Sequence, residues 1–446
     1  MGSLTTTKKD KSANEGLERA RKIPPVVPVV TGPFEISINT LATGPSYIGW
    51  TPAACTIRIT NQPQPDQSVI LTNLSAAGGQ VVFRATYGGA EQTTLPLSVP
   101  GDGTPVSFYV AGEFGRASTA DQDGGISVTD AATNSVLHQR TLMVRIRKDA
   151  NTLTPAERDR FLYAYATLNK FDYQGFLDSH NAAADGEIHQ RPAFLPWHRA
   201  FILHIERRLQ FIDPSVALPY WRFDKPSPNL FTPDFIGGAP NLVGRVPFSA
   251  TNELRNWTVN GTTGVVRVPY FNLTTSPAGG APPSPGLPGG FPLIDETATL
   301  ALGTNFGDFS RMEGSPHGAA HSSFSNGPIN SPPTATQDPI FFLLHCNVDR
   351  LWAKWQFNNT LWSATSTAAY SPAGSSREGD AIADTMWPWN GATGGTRPPT
   401  APGGPLPQLN FPSKPPAVPP LGDVIDYIGK TEGNSNHFDY DDVPFI

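Results

Sequence analysis

The chain is poor in cysteine. It has two in 446 residues, Cys55 and Cys346, and they stand in segments of different character. A disulfide framework is therefore excluded, and a reducing compartment is the default. Any apolar run of about 18 residues is also missing, which excludes a transmembrane helix and membrane partners. The first thirty residues carry no apolar stretch of the kind a secretory leader needs. Cytoplasmic residence is the expectation, with export behind a removed leader as the alternative. Clustered basic residues are scarce as well. The net charge is −6, and a phosphate-binding surface needs grouped Lys and Arg, so nucleic acid is not an expected partner. The one basic stretch, KKDKSANEGLERARK, reads as part of a solvated, flexible tail over residues 1–32.

Glycine (42) and proline (46) are abundant instead, which predicts many turns and long irregular loops. Hydrophobic residues at 38% and charged residues at 16% describe a globular chain. Its length predicts more than one domain. Residues 33–148 read as all-β. FEISINTL, CTIRITN, SVILTNL, QVVFRATY, PVSFYVAG, GISVTD and TLMVRIRK are short, β-branched-rich runs punctuated by Gly, Pro, Asn and Asp. Their spacing predicts an immunoglobulin-like β-sandwich.

The character then changes. In LTPAERDRFLYAYATLNK, Thr154 can cap a helix with Pro155 as its first residue and Glu157 three further on. AFLPWHRAFILHIERRLQFI and DPIFFLLHCNVDRLWAKWQF predict further helices. Pro/Gly-rich loops such as SPAGGAPPSPGLPGGFP lie between them. The expected domains are a tail at 1–32, a β-sandwich at 33–150 and a mainly helical domain at 151–446.

Seven of the nine histidines fall in that helical domain before residue 346. His180, His189, His198 and His204 form one group. His317, His321 and His345 form the other. In SPHGAAH, Ser315 can cap a helix with Pro316 at its first position, so His317 and His321 lie on one face. After Asp338 and Pro339, His345 shares a helix face with Phe341, Val348, Trp352 and Trp355. One histidine in such a stripe is a core residue; a same-face pair needing a third nitrogen is a chelate. His180, His189 and His198 come from a helix end, a loop and a helix, which can converge. No HExxH motif is present, so a zinc-peptidase site is not expected. Bridging carboxylates are not visible either, which argues against a dimetal hydrolase. Six neutral imidazoles suit copper, zinc, nickel or iron. Without ligand charge they favour a low-charge ion such as Cu(I), and two such ions can share one O₂.

The stretches SHN at His180, FLPWHRAF at His198, PHGAAH at His317 and His321, DPIFFLLHCNVDRLWAKWQ at His345, and the late GDVIDYIG and FDYDDVPF resemble the tyrosinase / polyphenol oxidase family. These are the type-3 dicopper proteins, which include catechol oxidases and molluscan hemocyanin units; the chain is similar to bacterial members over residues 150–446. The resemblance implies two copper ions, one on His180, His189 and His198 and the other on His317, His321 and His345. It implies that Phe341 packs on the ligand rings and that Glu313 holds an active-site water. It gives no ligand role to His204, which is expected to be structural, and makes Asp349 a residue that steadies a ligand or pairs along its helix. It implies oxidation of o-diphenols or related phenols to o-quinones by O₂. The alternatives within the same site are 2-aminophenol oxidation and reversible O₂ carriage. Family members active on monophenols often carry Asn where this chain has Gly318, so its absence implies weak monophenol hydroxylation. Leu344 replaces a frequent extra histidine. No cysteine stands near the first three ligands, so the Cys–His thioether of some relatives cannot form. Oligomeric state is left open.

Overall fold

In the computed structural model, residues 8–22, 28–61, 63–74, 76–279, 292–372, 374–408, 414–431, 433 and 435–445 are described. Most of the SPAGGAPPSPGLPGGFP loop lies outside them. The chain forms two compact units. One is built from residues 23–147, 409–414 and 428–446, the other from 1–22, 148–408 and 415–427.

The first unit is β-rich. Its strands are β1 (Phe34–Ile38), β2 (Tyr47–Ile48), β3 (Ala53–Ile59), β4 (Gln67–Asn73), β5 (Val81–Arg84), β6 (Leu95–Val99), β7 (Val106–Gly112), β8 (Gly124–Asp130) and β9 (Val136–Val144). They pair in two sheets, β1-β3-β7-β5 and β2-β9-β8-β4-β6. Side chains alternate along each strand because successive Cβ atoms point to opposite faces. In β3, Ala53, Cys55, Ile57 and Ile59 are buried while Ala54 and Arg58 face water. Ile36, Ile57, Phe83 and Val110 of one sheet share a single apolar core with Val69, Leu71, Ile126, Val128 and Leu142 of the other. Cys55 is a free core residue, and burial pushes its thiol pKa up. The seven expected runs all contain a strand. β2 and β6 are additional; β6 carries Pro96 and lies at a sheet edge, where a missing N–H is tolerated.

Two expected boundaries need correction. The expected tail at 1–32 contains a helix, α1 (Lys8–Ala20), that packs on the helical unit. Leu17 is fully buried, Lys22 N donates to Ile212 O at 2.8 Å, and Tyr163 OH donates to Ala20 O at 3.0 Å. One buried leucine and these polar contacts hold a segment whose composition looks solvated. At the other end, residues 428–445 fold with the β unit, not with the helices. Trp50 Nε1 donates to Tyr440 O at 2.9 Å, and Asp439 accepts from the Trp50 backbone N at 2.8 Å.

The second unit is helical with long loops. α2 (Pro155–Asp172) opens with the expected capping box between Thr154 and Glu157. α3 (Gln174–Ser179), α4 (Asp185–Ile188) and α5 (Phe194–Ile212) follow. After α6 (Glu296–Leu300) and α7 (Phe306–Phe309), a wide turn at Gly314–Gly318 runs into α8 (Ala319–His321). The last long helix is α9 (Ile340–Asn359), whose first N–H bonds to Asp338 Oδ1 at 3.0 Å. α5 and α9 pack directly on each other and both are almost entirely buried. Buried Arg199 of α5 pairs with Asp349 of α9 at 2.5 Å and lies 3.6 Å from the Trp352 ring centre. Among the described residues, no helix is long and apolar enough to cross a membrane.

Candidate metal centre

Six imidazoles converge between these helices. His180 closes α3 and His189 closes α4, each as the residue just past the last turn. His198 sits one turn into α5, whose first turn tolerates Pro196 because the early N–H groups have no helical partner anyway. The run HQRPAFLPWHRAF is thus a helix end, a loop and a helix start. His317 and His321 follow a break in the helix at Ser315, which is extended at φ −145° and ψ 124°. Ser315 makes no side-chain cap, contrary to expectation; its hydroxyl donates to Pro292 O instead. The pair nonetheless lies on one face, with ring centres 4.7 Å apart. His345 comes from the middle of α9 and is fully buried.

The ring nitrogens of His180, His198 and His345 lie within 4.8 Å of one another, as do those of His317, His321 and His345. His345 therefore stands at the centre, with its Nε2 3.3 Å from His317 Nε2 and 3.2 Å from His321 Nε2. His189 is outside both tight triads. Its ring centre is 5.0 Å from that of His180 and 5.4 Å from that of His198. All six expected rings are brought together, and His204 is not among them. His204 Nδ1 accepts from Trp389 Nε1 at 3.0 Å on the far side of α5, a structural role.

The backbone sets the tautomers. His198 Nδ1 donates to Phe194 O at 2.8 Å, His317 Nδ1 to Glu313 O at 2.8 Å, and His321 Nδ1 to Ile329 O at 2.7 Å. A carbonyl only accepts, so each Nδ1 carries hydrogen and each Nε2 presents a lone pair inward. His189 Nδ1 does the same with Asp185 Oδ1 at 2.8 Å. Burial lowers the pKa of every one of these rings; His321 falls to about 4, and His180, His198, His317 and His345 fall far below the usual range. Phe341 walls the cluster, its ring centre 4.2 Å from that of His345 and 4.7 Å from that of His180.

Glu313 lies beside the cluster. Its Oε1 accepts from Gln190 N at 2.7 Å. Burial, with Asp185 adding to it, raises its pKa to about 7, while the Gln190 N–H pulls the other way. It lines a cleft of about 620 Å³ with Gln190, Asn305, Ser310, Thr367 and Ser371. Gly318 is helical, and a Cβ placed on it meets only Glu313 O, at 3.3 Å. Cys346 points away, toward Leu218 O.

The donor set fits a metal pair. Both ring nitrogens of His180, Nε2 of His198 and Nδ1 of His345 are buried without a hydrogen-bond partner. Buried polar atoms are normally satisfied, and each neutral ring keeps one lone-pair nitrogen, so the convergence of these rings in an apolar pocket calls for a cation. The common central domain of tyrosinase matches residues 168–358. A tyrosinase of Streptomyces glaucescens is 31% identical over 278 residues, covering 55% of this chain and 92% of its own length. This chain belongs to the tyrosinase family. A second tyrosinase, of Streptomyces antibioticus, is 32% identical over 281 residues, covering 56% of this chain and 94% of its own. A solved functional unit of octopus hemocyanin is 21% identical, covers 68% of this chain and 69% of its own, and superposes with a TM-score of 0.42. The cofactor of the tyrosinase family is a dinuclear copper centre, and the chain is an oxidoreductase of that class.

Sequence reasoning missed the polar partners around the histidine cluster. Asp185 was legible only as a carboxylate four residues before His189. The Arg191–Asp380 pair was not legible, because the two residues are 189 positions apart, although Glu187 is only four residues from Arg191.

Proposed function

We propose that this tyrosinase-family protein is a diphenol-type oxidase, converting o-diphenols to o-quinones with O₂ as the oxidant and water as the other product. One copper is held by His180, His189 and His198, the other by His317, His321 and His345. The observation that carries this reading is the convergence of six imidazoles, five of them buried in two triads, with unpartnered ring nitrogens on His180, His198 and His345. Bound copper supplies the electron exchange with O₂. The chain's own residues do the rest. Carbonyl-anchored Nδ1–H groups hold the rings in one tautomer and orientation. Phe341 and Phe194 keep bulk water from the cluster; the Phe194 ring centre is 4.5 Å from that of His198 and 4.8 Å from that of His317. Glu313 handles the phenolic proton at its carboxyl, whose pKa near 7 suits exchange at neutral pH. Gly318 offers no side chain to assist Glu313, which supports diphenols over monophenols as substrates. We also read the β unit as an immunoglobulin-like sandwich, a reading supported by its two sheets around one core.

Oxygen uptake by the copper-loaded protein tests this, with tyramine, a catechol and 2-aminophenol offered in parallel. Prompt uptake with catechol and a long lag with tyramine is the expected result. Uptake with 2-aminophenol alone makes the protein an aminophenol oxidase. Reversible O₂ binding without turnover makes it a carrier. His198→Ala is expected to lose copper and activity together; full copper content in that variant removes the ligand assignment.

A further inference from the structure

Of the six imidazoles, His189 stands on the least regular support, although Asp185 holds its Nδ1. It is the most exposed of the six, and it lies outside both tight triads. It closes α4, a helix of four residues, too short to be stable by its own hydrogen bonds. The next residue, Gln190, is left-handed at φ 53°. No thioether holds the ring, since both cysteines are free thiols. Something else must fix this loop if a ligand is to stay on it.

The structure shows what does. Arg191, two residues on, is buried. Its Nη1 donates to Glu187 O at 3.0 Å and pairs with Glu187 Oε2 at 2.8 Å, closing α4 upon itself. Its Nε donates to Asp380 Oδ1 at 3.1 Å and its Nη2 to Glu378 O at 2.7 Å. Arg397 reaches the same carboxylate from the other side, Nη1 to Glu187 Oε1 at 2.6 Å. Asp380 is itself held, by the Ser375 hydroxyl on its carboxylate and by the Tyr370 hydroxyl on its carbonyl. Gly379 takes φ 92°, and a Cβ there would come within 3.1 Å of Arg397 Nη1, so the segment is pressed onto the ion pairs. Two guanidiniums and two carboxylates thus join the His189 loop to residues 375–397. Arg191, Glu187, Asp380 and Arg397 are all at most 7% exposed.

We infer that the 375–397 segment is a positioning clamp for His189, with Asp380 and Arg397 acting through Arg191 and Glu187 to hold one copper ligand in place. The inference rests on the reading of His189 as a ligand. Its consequence is selective: losing the clamp weakens one copper site and spares the other. Outer partners of ligands typically set metal affinity by about 10–100-fold.

The test is a copper titration of the full chain, read by stoichiometry and paramagnetic resonance. Two coupled Cu(II) ions give no signal; a single Cu(II) gives one. Asp380→Asn keeps the shape and removes the charge, and Arg397→Gln is the milder variant should the first not fold. Glu296→Gln is the control; it breaks an ion cluster with Arg350 and Lys354 away from the His189 loop. Wild type and Glu296→Gln are expected to take two coppers and stay silent. The clamp variants are expected to hold one copper tightly, bind the second at least about tenfold more weakly, and show the isolated signal. Clamp variants with wild-type affinity for both coppers overturn the inference, even if their melting temperature falls. So does equal weakening of both sites. A wild type that never takes a second copper overturns the ligand reading itself, and the clamp with it.

Discussion

At the scale of the residue, the proposed preference for diphenols turns on the side chain that Gly318 lacks. The residue is helical, so its φ and ψ admit an L side chain, and its Cβ would press at 3.3 Å on Glu313 O, the carbonyl that anchors His317 Nδ1. Gly318→Asn needs a shift of a few tenths of an ångström there, and brings an amide toward Glu313, the acid proposed to handle the phenolic proton. The expected outcome is a several-fold rise in the ratio of tyramine to catechol turnover; an unchanged ratio in oxygen uptake removes position 318 from the account. The imidazoles make a second prediction, with a definite sign. Their pKa values are lowered from 6.5 by burial, that of His321 to about 4. The unfolded chain therefore binds more protons than the native one as pH falls below 6.5, and stability is lost in that direction. Protons also compete with copper for the same Nε2 lone pairs. Copper retention and melting temperature should both fall from pH 7 to pH 5. Retention that is flat across that window would place the copper on other groups. The histidines that converge were legible because histidine in an apolar run is uncommon and helical spacing is local. Their supports were not, because a carbonyl acceptor such as Ile329 O has no sequence signature.

At the level of elements, the α5–α9 pair carries four of the residues that matter. His198 and His345 face the cluster, and Arg199 and Asp349 tie the helices together one position and one turn away. Removing one partner of a buried pair leaves the other charge unpaired. Asp349→Ala is expected to cost about 3–5 kcal/mol in urea unfolding, while Arg199→Met with Asp349→Leu recovers much of it. A single variant within about 0.5 kcal/mol of wild type, the scale of ordinary surface changes, would show that the pair is not structural. Both helices were plain from their 3.6-residue apolar spacing, and the capping box at Thr154 fixed the start of α2. Seven strands were plain from alternation. β2 has two residues, too few for any period, and β6 hides behind Pro96. α1 failed to show for a different reason: its sequence is polar, and one leucine plus tertiary hydrogen bonds hold it.

At the scale of the whole molecule, chain order and unit membership part company. The β unit is completed by residues 428–445, and Trp50 bonds a carbonyl 390 positions away. No local pattern encodes such a pairing, which is why the resemblance of FDYDDVPF to the end of a catalytic domain pointed to the wrong unit. The segment also brings a costly group with it. Asp439 is buried, accepts from the backbone N of Trp50 and Thr51 through Oδ2, and leaves Oδ1 unpartnered. Burial raises its pKa to about 7, against the pull of those N–H groups and of Arg147. Native Asp439 thus holds its proton where the unfolded chain, at 3.8, has lost it. Stability of the β unit should fall as pH rises from about 4 to about 7 and level off above. Asp439→Asn keeps an oxygen for the two N–H donors and removes the charge. The variant should match wild type near pH 4 and exceed it at pH 8 by roughly 1–3 kcal/mol. Hydrogen exchange at the Trp50 and Thr51 amides reads this locally, without interference from the histidine cluster. Faster exchange in the variant at pH 8 would mean that the charged carboxylate is what joins the C-terminal segment to the sheet.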